Sequence, residues 1–268
     1  MIEAVAIRGL RKVFDGRAGA VEALAAIDMT LAEGEFACIL GPSGCGKSTL
    51  LNVIAGFEAP TEGSATVFGS RVAGPGPDRA VVFQEASLFP WLSVWDNVTF
   101  GPRMLGRPKA ETDALARRYL DLVGLGGFER HLPDQLSGGM KQRVGIARCL
   151  ILNPRVYLMD EPFGALDAQT RMQMQELLTH VWDETRGTVL FITHDIDEAI
   201  FLADTVYVMT ARPGRMRSRI TIDLPRPRSI DLLTAPRFNA LRAEILGQIR
   251  EEATKAMAAI AAEERARR

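Results

Sequence analysis

Cysteine is scarce and unpatterned in this chain. Its 268 residues contain three, Cys38, Cys45 and Cys149. An odd set without regular spacing builds no disulfide framework and offers no metal-ligand pair, so a reducing, cytosolic compartment fits. Long apolar runs are missing as well: no stretch reaches the ~18 consecutive apolar residues of a membrane span. The start, MIEAVAIRGLRKVF, lacks an apolar region followed by a small-residue cleavage site, so no signal peptide is expected. Charge of one sign is also absent, since 32 basic and 33 acidic side chains leave a formal net charge of −1. That lowers the expectation of a nucleic-acid partner, although a local basic patch can sit inside a neutral total. There is no internal repeat and no low-complexity tract. What the chain does have is 47% hydrophobic residues, ample for a packed core and contrary to disorder.

Apolar runs that end in turn residues mark the strands. FACIL at 36–40 meets Gly and Pro at once and reads as a buried strand ending in a loop. Further strands are expected at 4–10, 80–83 (AVVF), 155–159 (RVYLM), 188–193 (TVLFIT) and 205–210 (TVYVMT). Helical patterns lie between the later ones, which suggests a parallel sheet covered on both faces. A helix is expected from near Lys47, with Leu50, Leu51, Ile54 and Phe57 on one side. From about Trp95 to Asn153 the periodicity is mainly helical; Leu115, Tyr119, Leu122 and Val123 fall at i, i+4, i+7 and i+8, the spacing of one helix face. After the Pro-rich LPRPRS, a weak stripe of Leu241, Ile245, Ile249, Ala253 and Ile260 ends in charge. It reads either as an amphipathic helix packed on the core or as a regulatory or dimer contact.

The loop between the first buried strand and the first helix is Gly41, Pro42, Ser43, Gly44, Cys45, Gly46, Lys47, Ser48, Thr49. It fits GxxxxGK[ST] in the strand-loop-helix context that makes the pattern specific. The glycines let backbone N–H groups turn inward around a phosphate chain, and the helix start adds its partial positive charge. Lys47 suits β- and γ-phosphate oxygens and Ser48 suits Mg²⁺. Asp160 and Glu161 follow the buried strand RVYLM, at the carboxyl end where parallel sheets bind ligands. Asp160 can hold Mg²⁺ or its waters, and Glu161 can orient and deprotonate an attacking water. Either residue could instead cap the next helix.

LSGGMKQR, at 136–143, makes the reading specific. Just upstream of the acidic strand, it resembles the signature of ABC ATPases, and the resemblance extends over roughly residues 3–225. It implies an α/β fold: a P-loop NTPase (RecA-like) core with an antiparallel β subdomain and an inserted α-helical ABC subdomain. The corresponding divisions are 1–94 with 154–225 for the ATP-binding core, 95–153 for the helical signature subdomain and 226–268 for a C-terminal helical extension. It also implies a homodimer in which two ATP molecules are sandwiched head to tail. Ser137, Gly138 and Gly139 of one chain would face the nucleotide held by the phosphate loop of the other. Their own chemistry agrees, because they precede a helix with Val144, Ala147 and Ile151 on its apolar side, a second anion-compatible helix start.

The resemblance assigns further roles. Gln84 matches the glutamine loop that contacts Mg²⁺ and relays nucleotide state. Asp167 matches the loop linking the two active sites, and also reads as a helix N-cap. His194 matches the switch histidine that senses the γ-phosphate and orients Glu161. Phe14 matches the aromatic that stacks on adenine, a position more often Tyr, and a Phe in an early strand can equally be core. GPDRAVVFQ followed by LFPWLSVWDNV, with the later PRPRSIDLL, resembles the importer subgroup for nitrate, sulfonates, taurine and related small molecules. Trp91, Leu92, Val94 and Trp95 suit a groove for a partner helix, or pack the helical subdomain. The implied partners are two integral-membrane permease subunits and, indirectly, an extracytoplasmic substrate-binding protein, with this chain peripheral on the cytoplasmic face of the inner membrane. An exporter ATPase shares the chemistry. An ABC ATPase of nucleic-acid maintenance would carry long coiled coils before the signature, and none is present.

Overall fold

The computed structural model describes residues 2–16 and 19–266, with side-chain surroundings as far as residue 257. The side chain of Ile260 and the final Arg267 and Arg268 of the expected C-terminal extension lie outside the described residues. In chain order the elements are β1 (Glu3–Gly16), β2 (Gly19–Ala32), β3 (Phe36–Leu40), α1 (Lys47–Ala55), β4 (Glu62–Val67), β5 (Ser70–Arg71) and β6 (Arg79–Val82). They continue with α2 (Val94–Met104), α3 (Lys109–Leu122), α4 (Gly138–Leu150), β7 (Val156–Asp160), α5 (Ala168–Thr185), β8 (Thr188–Ile192), α6 (Ile196–Leu202), β9 (Thr205–Met209), β10 (Met216–Thr221) and α7 (Pro236–Ala266). The chain forms two compact units, Met1–Gly76 with Thr188–Arg268, and Pro77–Gly187.

The first unit holds two sheets. In one, β3 lies between β8 and β9, parallel to both, with β10 antiparallel on β9. Every residue of FACIL, TVLFI and TVYVM is buried, which is why these strands read as unbroken apolar runs rather than alternating ones. The other sheet is antiparallel in the order β2-β1-β4-β5. Helix α1 puts Leu50, Leu51 and Ile54 into the core. It stops at Ala55 because Gly56 takes the left-handed conformation, so Phe57, expected on its face, lies beyond the helix and is exposed. Helix α7 starts at Pro236, where a missing N–H costs nothing, and buries Phe238, Leu241 and Ile245. Arg242 ties it to α6 through Asp197 at 2.8 Å.

In the second unit β6 and β7 pair in parallel, and α2 to α5 supply the rest. Ser93 caps α2, its hydroxyl accepting from the Asp96 amide at 3.1 Å. Helix α3 buries Thr112, Ala116, Tyr119 and Leu120, whereas Leu122 is 37% exposed. The expected face is therefore rotated: Leu120 takes the inward place assigned to Leu122, and Val123 is buried at the helix end. No helix among the described residues is long and apolar enough to cross a membrane.

Candidate functional site

The first unit carries the phosphate loop. β3 ends at Leu40, and the chain turns through 41–46 into α1 at Lys47. Gly46 caps the helix at φ 101°, and a Cβ there would lie 2.7 Å from Leu24 Cδ2 and 2.9 Å from the Ala23 carbonyl oxygen. Only glycine satisfies both the backbone angle and the close approach of β2. Lys47 is 7% exposed, and its ammonium donates to the carbonyls of Gly41 at 2.9 Å and Pro42 at 3.1 Å. A buried lysine needs such partners, and these tie the cation to the loop's own backbone. Ser43, Gly44 and Ser48 are exposed, while Cys45 is buried and its thiol is pushed up by that burial.

His194 belongs to the same sheet edge. Ile39 of β3 is in register with Ile192 of β8, so Gly41 and His194 each follow by two residues at the carboxyl ends of adjacent parallel strands. His194 is exposed there. Behind it Asp195 caps α6, accepting from the amides of Asp197 at 2.9 Å and Glu198 at 3.1 Å. Phe14 sits on the β1–β2 hairpin and is 38% exposed, with the Lys12 ammonium 4.7 Å from its ring centroid. It is not a core residue.

The second unit carries the acidic pair, the glutamine and the LSGG segment. Val82 of β6 is in register with Met159 of β7, which brings Gln84 and Glu161 to one edge, each two residues on. Asp160 is the last residue of β7. Glu161 has φ 45°, in the left-handed region that a non-glycine residue enters at a cost of about 1 kcal/mol. Ser137 caps α4, its hydroxyl accepting from the Met140 amide at 3.2 Å, and Gly138 and Gly139 form the first turn of the helix. Val144, Ala147 and Ile151 are buried, as their spacing predicted. Asp167 caps α5, accepting from the Thr170 amide at 3.0 Å and its hydroxyl at 2.8 Å; these bonds hold its carboxyl below the ordinary range.

A profile of the ABC transporter family matches residues 24–164. The nitrate import ATP-binding protein NrtD of Synechocystis sp. is 48% identical over 95% of this chain and 98% of that protein. The chain belongs to the ABC transporter family. The taurine import ATP-binding protein TauB of Burkholderia thailandensis is 46% identical over 90% of this chain and 94% of that protein. Among solved structures, the dimeric post-hydrolysis state of the ATP-binding cassette MJ0796 bound to ADP and Pi superposes with a TM-score of 0.75 at 31% identity, covering 82% of this chain and all of that one. The fold is that of an ATP-binding cassette, and the protein is an ABC-type ATPase.

Three residues of this ABC ATPase have structural roles that spacing alone did not reveal. Gln142, fully buried within the signature segment, donates to the Phe83 carbonyl at 3.0 Å. Arg148 donates to the carbonyls of Ala86 and Ser87, each at 3.0 Å. Helix α4 thus holds the loop that begins at Gln84. Asn97 accepts from the Phe89 amide at 2.8 Å and donates to the carbonyls of Leu92 at 2.9 Å and Ser93 at 3.0 Å. It folds LFPWLS back on itself and leaves Trp91 72% exposed, 5.8 Å from the Phe89 ring. The available signal was a polar residue, Asn97, on the otherwise apolar side of α2 beside Val94 and Val98.

Proposed function

We propose that this ABC ATPase is the motor subunit of an importer for a small nitrate-, sulfonate- or taurine-like solute. Similarity along nearly the whole chain to two import ATP-binding proteins carries the reading. Two copies act head to tail, each with an ATP-binding core (1–94 and 154–225), a helical signature subdomain (95–153) and a C-terminal extension (226–268). They dock from the cytoplasmic side on two membrane permease subunits, which receive solute from an extracytoplasmic binding protein. The dimeric MJ0796 cassette supports the pairing.

Lys47 and the amides of residues 43–49 bind the phosphates of ATP, and Phe14 stacks on the base. Ser48, Gln84 and Asp160 present hydroxyl, amide and carboxylate oxygens, the donor chemistry that a hard cation such as Mg²⁺ takes. When bound, Mg²⁺ would neutralise phosphate charge. Glu161 orients and deprotonates water, and its left-handed backbone fixes the carboxylate's direction from the end of β7. His194 senses the γ-phosphate. Ser137, Gly138 and Gly139 complete the site held by the partner's phosphate loop, and Asp167 connects the two sites. Because Gln142 and Arg148 fix the loop after Gln84 to α4, a change felt at Gln84 moves the signature helix with it.

The exposed ring of Trp91, with Phe89 and Phe100 behind it, is the apolar surface offered to a permease helix. Co-purification of the chain with its permease tests this. Trp91→Ala is expected to lose the permease while ATP binding is retained; full recovery of the complex would refute the docking assignment. Solute entry into proteoliposomes driven by ATP enclosed in the lumen, with the binding protein outside, distinguishes this reading from the opposite direction of transport.

A further inference from the structure

Helix α7 continues its buried stripe past Phe238, Leu241 and Ile245 not with another apolar residue but with Glu252, which is 3% exposed. Burying a carboxylate is costly unless it is partnered, so the position needs a reason. Its partners lie mostly off the helix. Arg217 of β10 donates to Glu252 Oε1 at 2.7 Å and Lys255 donates at 2.8 Å, while the Ala211 amide donates to Oε2 at 3.4 Å. Ala211 opens the turn between β9 and β10. That turn is closed on itself, since Thr210 N donates to the Arg215 carbonyl at 3.0 Å and Arg215 N to the Thr210 hydroxyl at 3.0 Å.

The far side of the turn meets the phosphate loop. Gly214 donates to the Ala23 carbonyl and accepts from the Ala25 amide, both at 2.9 Å, so it is stitched to the stretch of β2 on which Gly46 packs. A Cβ on Gly214 would lie 2.1 Å from the Cys45 carbonyl oxygen, a distance no side chain tolerates. The same turn brings the Arg212 guanidinium to the Gly44 side of the loop, 3.8 Å from where a Cβ on Gly44 would be. At its root, a Cβ on Gly41 would be 3.1 Å from Met209 Cβ. A continuous set of contacts therefore runs from α7 through residues 210–215 to residues 41–46, all within the first unit.

We infer that Glu252 and Gly214 are positioning residues for ATP binding: Glu252 anchors the 210–215 turn to α7, and Gly214 seats that turn against the phosphate loop. The helix beyond the family core thereby sets the shape of the loop that holds the nucleotide. This rests on the phosphate-loop reading given above.

ATP affinity of the full chain, measured by calorimetry at a temperature where each variant is folded, tests it. Glu252→Ala is expected to weaken ATP binding about fivefold or more, and Glu252→Gln, which keeps an acceptor for Ala211, by less. Glu251→Ala is the matched control. That carboxylate also pairs with Arg217 but is exposed and does not reach the turn, so its affinity should match the parent. Gly214→Ala should weaken ATP binding as Glu252→Ala does. A folded Glu252→Ala chain with parental ATP affinity overturns the inference. Lys47→Ala, run alongside, keeps the two claims apart: undiminished ATP binding there would remove the phosphate-loop reading itself. Should the variants fail to fold, hydrogen exchange on the parent chain decides. ATP should slow exchange at Ala211 and along 248–255, and unchanged exchange there overturns the proposal.

Discussion

Replacing Arg228 with Met should destabilise the chain by more than a surface substitution can. Its side chain is almost wholly buried, and one terminal nitrogen donates to the carbonyls of Ile200 at 3.0 Å, Phe201 at 2.9 Å and Ala203 at 2.6 Å. These carbonyls close α6, whose last turn has no helical donors of its own. Arg226 adds a bond to the Leu202 carbonyl at 2.8 Å, so two cations sit at the negative end of the helix. One nitrogen carries two protons, so the three contacts count as about two charge-assisted bonds of ~1.5–3 kcal/mol each. Methionine keeps the aliphatic contacts and returns part of that, leaving a net loss of about 3 kcal/mol. Urea unfolding followed by far-UV circular dichroism reads it directly. With a slope near 2 kcal/mol per M, the midpoint should fall by about 1.5 M with the slope unchanged. Arg228→Lys should recover part of the loss, because one ammonium cannot reproduce the guanidinium's planar fork. A fall smaller than about 0.3 M would refute the reasoning. Hydrolysis should suffer as well, since α6 is the helix that begins two residues after His194.

Two further outcomes follow from the site. If the signature serves the partner's nucleotide, Ser137→Arg should leave ATP binding by the chain intact and abolish hydrolysis; parental turnover would argue against a shared site. Burial raises the thiols of Cys38 and Cys149, the latter to about 12, and so disfavours the reactive thiolate at both. Alkylation at pH 8 followed by mass spectrometry should mark these two only after denaturation, and rapid native labelling would show that burial to be wrong.

The strands β3, β7, β8 and β9 were legible because strands buried on both faces are continuous apolar runs that stop at turn residues. β2 was not. GAVEALAAIDMTLA is rich in alanine, a poor strand former, and Ala26 at φ 50° breaks its alternation where the pairing with β1 shifts register. The α3 face was misjudged by local spacing, since tertiary packing chose Leu120 over Leu122. At the site, the phosphate loop and the LSGG segment were readable because their chemistry is local to a few consecutive residues. The left-handed Glu161, the Asn97 that shapes the Trp91 loop and the Glu252 anchor were not: residue type does not announce a backbone angle, the Asn97 bonds exist only once the turn at 89–93 has formed, and the Glu252 partners Ala211 and Arg217 are distant in the chain. PRPRS was visible as a resemblance, but its work as a clamp on α6 needs the carbonyls of residues 200–203 beside it.

The most direct measurement of the central claim is the oligomeric state and turnover of Glu161→Gln with ATP. If Glu161 activates water in a site shared by two chains, removing its charge should nearly abolish phosphate release while leaving nucleotide binding in place. Light scattering in the presence of ATP should then show a stable dimer with one ATP retained per chain, returning to monomer when ATP is withheld. A variant that hydrolyses ATP at the parental rate, or that stays monomeric with ATP bound, would contradict it.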